Sequence, residues 1–223
     1  MASAFLGVAA RPPAGQALLG CVAAQGSASH PWLAAIAALK GEQGARALAD
    51  AVHYLCTLHG RYPGVIDHAA GRIFDPAGRG WIARATYAFA GERAYLARLA
   101  VAAGPIPSTA GAAGSDSAAL AQRHAIEMLA QSERGGCALG AAMAVVLDWA
   151  HVRGALDAAA RRFGVEPPPY YAAEEAAVSA IADSLAHTAS VQRALLFGAE
   201  QILLQHHGLW DLLEARHQAR TAG

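Results

Sequence analysis

Residues 136–154, GCALGAAMAVVLDWAHVRG, are apolar or small on nearly every side of a helix. A helix with no polar face can only stand inside something else. The segment therefore predicts an all-α, single-domain bundle of about seven helices, with a buried central helix near residues 137–152. No stretch of the chain sustains the period-two alternation of a half-buried strand. Composition agrees: alanine, the best helix former, is abundant, 55% of residues are apolar and only 15% are charged, against about 25% in ordinary globular domains. A chain of 223 residues with so little polar surface must bury much of itself, in its own core or against a second copy.

Glycine and proline divide the rest. Residues 1–29 read as a loosely ordered lead-in with a short helix near 16–24, residues 30–218 as the helical domain, and 219–223 as a flexible tail. His30-Pro31 opens a helix, since the missing proline N–H costs nothing at a first turn. A second helix covers about 45–59, with Leu48, Val52, Leu55 and His59 on one side and Arg46, Asp50, His53 and Thr57 on the other. The glycine- and proline-punctuated run 60–80 is long for a loop in a compact domain, and reads as a lid or a surface crossover. Further helices are expected from Trp81 to Ala103, from an N-cap at Ser115 or Asp116 to about Arg134, and from Gly136 to about Phe163, where VEPPPY stops the chain. Two or three more follow between Ala172 and Gln218, with breaks near 187–190 and at Gly208.

Several function classes are excluded. Net charge is zero, Lys40 is the only lysine and no basic stripe forms, so nucleic acid is not an expected partner. The apolar run 137–147 is too short to span a bilayer, and no positive segment precedes the apolar residues at the start. Cys21, Cys56 and Cys137 form no CxxC pattern, which points to a reducing compartment, the cytoplasm. There is no GxSxG elbow and no phosphate-binding glycine loop.

Chemistry could reside in acid–histidine pairs. An acid and a histidine three apart share a helix face, the spacing with which bundles place both on a metal. Asp50/His53, His124/Glu127, Asp148/His151 and Glu214/His217 have it. Asp50/His53 faces away from the leucines and reads as solvated, and so does His124/Glu127. Glu214/His217 falls in the tail. Asp148 differs, because it shares its face with Cys137, Ala141, Ala144 and Val152. A charge there costs several kcal/mol unless it has a partner, either an arginine such as Arg84, Arg93 or Arg123, or a ligand. Glu92 is an acid on an apolar line. Glu200 and His207 share a face, His206 falls among leucines, and one of the two histidines is expected to cap a helix before Gly208. Asp183/His187 is a further i,i+4 pair. The expected interior site is thus Glu92, Asp148, His151, Glu200 and His207 for a small-molecule ligand. For a metal ion it is Asp148, His151, Glu92, His124 and Glu127. The alternative is a non-catalytic protein acting through self-association, as a homo-oligomer or with another protein, in which these groups are ion pairs.

The run GPIPSTAG, with AQRHAIEMLAQSERGGCALGAAM and VVLDW after it, resembles an uncharacterised bacterial family of small alanine-rich helical proteins, over most of the chain after residue 30. That resemblance implies an all-helical fold and carries no assigned activity. Helix number and length also resemble ferritin-like and heme-oxygenase-like bundles. Only Glu214/His217 has the Glu-x-x-His order of a di-iron centre, however, and it lies at the tail.

Overall fold

The structure is a computed structural model that describes residues 12–73 and 75–222. Among these there are nine α-helices and no strand: α1 Ala14–Gln25, α2 Pro31–Ala38, α3 Gly41–His59, α4 Val65–Ala70, α5 Pro76–Ala103, α6 Ala112–Ala130, α7 Cys137–Phe163, α8 Glu175–Leu185 and α9 Ala189–Thr221. A single 3-10 turn, Ser27–Ser29, joins α1 to α2. The all-α reading holds, and the count exceeds seven because the lead-in contributes α1 and the 60–80 segment contributes the six-residue α4.

The central helix is α7. It packs against every other α-helix and most extensively against α9, and of its residues from Cys137 to Trp149 only Val146 is not buried. Left-handed glycines bound it, Gly136 at φ +99° and Gly164 at φ +69°, where a side chain would be strained. Two glycines set its distance from α9. A Cβ on Gly140 would stand 1.8 Å from the Leu195 carbonyl oxygen, and one on Gly198 would stand 2.0 Å from that of Cys137. The helices therefore meet backbone to backbone. By length and composition α7 is the one described helix able to cross a membrane, because it continues past Asp148 to Phe163, but 72% of its most apolar window is buried inside the molecule. Its apolarity is that of a core.

Several expected boundaries move. α1 packs on α8 and α9, and the exposed carboxylate of Asp183 accepts the Gly15 N–H at 2.8 Å; Asp183 thus serves another helix rather than His187. α5 begins five residues before Trp81, at Pro76. α6 begins at Ala112 behind Gly111 (φ +74°), so neither Ser115 nor Asp116 is its cap; Asp116 instead accepts the Tyr54 hydroxyl at 2.6 Å. α9 runs through Gly208 without a break. There the Gln122 side chain of α6 donates to the Gln205 carbonyl, its Nε2 2.9 Å from where a Cβ on Gly208 would stand, so this glycine sits at a helix contact. No histidine caps a helix at that point.

The 60–70 segment is pinned rather than loose. Asp67 accepts the Gly64 N–H at the start of α4 and receives both Nη1 and Nη2 of Arg93 from α5, at 2.9 and 3.2 Å. A bidentate pair with both side chains largely buried fixes orientation as well as distance.

Candidate functional site

Among the described residues three acids are buried, and their partners separate them. Asp50 is 1% exposed, so the solvated-face reading of Asp50/His53 is corrected. The second half of α9 lays Arg216 and Arg220, one turn apart, over that face of α3. Arg216 reaches both Asp50 oxygens at 3.1 and 3.2 Å, and Arg220 Nη1 reaches one at 2.5 Å. His53 turns the other way, its Nε2 2.8 Å from the Gly104 carbonyl oxygen. Glu92 is also closed. Trp149 Nε1–H donates to one oxygen at 3.0 Å and Arg153 Nη1 to the other at 2.7 Å. The same guanidinium holds Asp157 and the Pro168 carbonyl. Burial raises the Glu92 pKa, and the Trp149 and Arg153 bonds offset only part of that. Both groups are ion pairs that tie helices together.

Asp148 is different. It is fully buried, as its face on α7 predicts, yet among the described residues no arginine meets it. Its Oδ1 accepts the Ser27 N–H at 2.7 Å, and its Oδ2 accepts the Ser27 hydroxyl at 2.5 Å and His206 Nδ1–H at 2.7 Å. His206 then presents Nε2 to His59 Nε2 at 2.9 Å. A contact that short between two ring nitrogens requires one proton between them. The result is a buried file, Ser27–Asp148–His206–His59, running from the 3-10 turn through α7 and α9 to the end of α3. The His59 ring is wedged edge-on against Phe89 and Trp149, with centroids 6.2 and 5.4 Å away.

Burial alone would raise the Asp148 pKa. The bonds and charge interaction with His206, and the two bonds from Ser27, outweigh it and hold the carboxyl below its usual range. Burial, and next the neighbouring His206, hold His59 well below the ordinary imidazole pKa. Folding therefore excludes a proton from His59 that the unfolded chain takes up below about pH 6.5. The stability this contributes is complete above that pH and is lost as pH falls, at about 1 kcal/mol per pH unit. The half-buried His217, lowered by burial and by Arg220, adds to the slope in the same direction. Urea unfolding at pH 7.5 and 5.5 is expected to show the loss. His59→Gln, which can still donate to His206, is expected to reduce it, and an unchanged slope would remove His59 from the account.

At its far end the file meets a cavity of about 30 Å³, enough for one or two water molecules. His59, Leu58, Val65, Ile66, Phe89 and Ile126 line it, and Arg61, Arg93, Arg123 and Glu127 stand around it. Arg93 is already held by Asp67. Arg123 approaches Glu127 at 3.4 Å, but its buried Nε has no hydrogen-bond partner. Residues 61 and 63–66, which belong to the segment expected as a lid, form one wall.

The residues expected to converge do not all do so. Of Glu92, Asp148, His151, Glu200 and His207, only the first two are interior; His151 and Glu200 are exposed and His207 is half-exposed. Asp148 and His151 therefore form no shared site, because the roughly 60° that separates positions three apart on a helix is enough to turn His151 out of the core. His124 lies outward on α6, 4.0 Å from Glu127, which is half-exposed at the edge of the cavity over His59. Sequence reasoning missed the roles of Ser27, His59 and His206. Two of them carried a signal, a histidine on an otherwise apolar helix line. Neither a curated protein nor a solved structure matches the chain. A family model spans residues 22–221, and the chain belongs to that family, the family of unknown function DUF6975.

Proposed function

We propose that the protein is a small-ligand-binding helical domain of the cytoplasm, whose interior site is the cavity over His59. One junction supports this reading: a buried, ionised carboxylate is linked through two histidines in file to a cavity wall. Asp50 and Glu92 show how this fold neutralises an acid when nothing further is asked of it, with arginine. A histidine file instead leaves a neutral His59 ring, its proton excluded by burial and by His206, as part of the cavity wall. The small volume admits a group no larger than one or two water molecules, so the ligand is one that inserts a single small oxygen-bearing group beside His59 and Arg123. Three free cysteines accord with a reducing compartment.

A second reading rests on a separate surface. Met128 and Leu204 are 61% and 58% exposed, Phe197 is 41% exposed, and Met128 and Phe197 flank a groove of about 350 Å³ between α6 and α9. That face supports self-association. Native mass spectrometry distinguishes the two readings. The first expects the 22.9 kDa chain to carry a retained small molecule that His59→Gln loses, and the second expects a doubled mass. A bare single chain would count against both.

A further inference from the structure

We infer that His30, His207 and Asp211 form a binding site for one divalent transition-metal ion, zinc being the first choice of class. This site does not involve the cavity over His59. His30 comes from the start of α2, and His207 and Asp211 are one turn apart on α9. His30 Nε2 stands 3.0 Å from Asp211 Oδ1, and His207 Nδ1 stands 3.9 Å from Asp211 Oδ2. One donor atom from each of the three lies within 4.8 Å of the others. Donors bound to one ion at about 2.0–2.2 Å stand roughly 3–3.5 Å apart. Closing that gap needs only a small turn of His207 and Asp211, whose side chains are 39% and 68% exposed. Two imidazoles and one carboxylate suit borderline divalent ions rather than calcium or magnesium. Three protein donors leave further positions open to solvent or a ligand.

The buried file explains why these residues meet although they come from opposite ends of the chain. Ser27 lies three residues before His30, and His206 is next to His207. The one Asp148 carboxylate holds both Ser27 and His206, so it ties the segment bearing one ligand to the helix bearing the other two. The rings of His30 and His207 are already in edge contact, with centroids 4.6 Å apart.

Metal binding carries a signature of its own. His30 Nδ1 accepts the Trp32 N–H at the start of α2, so without metal the ring proton sits on Nε2 and points at Asp211. A metal on Nε2 moves that proton to Nδ1 and releases the Trp32 amide.

The test is calorimetric titration of the full chain with zinc chloride, together with amide NMR. One equivalent is expected to bind, with a marked shift of the Trp32 amide. His207→Ala and Asp211→Asn, both at partly exposed positions that leave the core intact, are each expected to weaken binding at least ~10-fold. His124→Ala, an exposed histidine beside an acid elsewhere, is expected to leave it unchanged. No saturable binding, or binding that His207→Ala and Asp211→Asn do not weaken, overturns the assignment. So does equal weakening by His124→Ala.

Discussion

Gly140→Ala is expected to cost about 3 kcal/mol or more of folding stability, the top of the usual range for overpacking. One added methyl rarely does so much. Here the obstruction is the Leu195 carbonyl, 1.8 Å from the new atom, and a backbone carbonyl cannot rotate away as a side-chain tip can. α7 and α9 must separate along their longest contact, loosening the packing of every residue layered on it. Gly198→Ala meets the Cys137 carbonyl from the opposite side and belongs to the same contact, so the two losses should not add. Alanine otherwise favours a helix by up to about 1 kcal/mol over glycine. Gly154→Ala, at a helical position where an added Cβ meets nothing within 4 Å, is therefore expected to stabilise the protein. Urea midpoints of the three variants decide the matter, and a Gly140→Ala midpoint at or above that of the parent would mean the helices do not cross so closely.

The parts of this fold legible in the sequence are those a single helix discloses about itself. α7 has no polar face, so its place at the centre follows, and Asp148 on its small-residue side had to be hidden and partnered. The partner's identity was not legible. The helical wheel of α3 shows Asp50 opposite the leucines, and nothing local reveals that Arg216 and Arg220 descend on it from a helix 166 residues away. α3 is buried on both sides, by apolar contact on one and by ion pairs on the other. The same limit hides His30 and Asp211, 181 positions apart. Gly208 misleads for a related reason: read alone it is a helix breaker, but in the bundle it lies inside α9 beside the Gln122 side chain of α6.

His59 and His206 show what a better local reading would weigh. Each sits on the apolar line of its helix, where an imidazole is rarely left without a hydrogen-bond partner. Two such residues on separate helices of one small domain are candidates for each other. Adding the apolar first half of α7, in which Asp148 is the one acid, narrows the choice, since Asp148 needs a donor that can be buried with it. Ser27 gave no such signal, because a serine in a glycine- and alanine-rich stretch looks like any loop residue.

Asp148→Ala is expected to destabilise the protein by about 3–5 kcal/mol, the range for removing one partner from a buried charged pair. The removed carboxylate accepts three hydrogen bonds, and all three donors remain in a dry interior: the Ser27 N–H, the Ser27 hydroxyl and His206 Nδ1–H. His206 cannot recover by turning, since its other nitrogen faces His59. Asp148→Asn keeps the shape, but its amide offers one oxygen to three donors and turns an N–H₂ group toward at least one of them, so it is expected to lose nearly as much. Ser27→Ala is the graded control. It removes a single hydroxyl donor to a charged acceptor, worth about 1.5–3 kcal/mol, and leaves the backbone N–H and the histidine in place. Urea unfolding at pH 7 should therefore order the variants as parent, Ser27→Ala, then Asp148→Asn with Asp148→Ala. A loss below about 1 kcal/mol for Asp148→Ala would show that water reaches the carboxylate and that the file is not a buried one. If Ser27→Ala proved the costlier change, the hydroxyl rather than the acid would be what fastens α1 and α2 to the core.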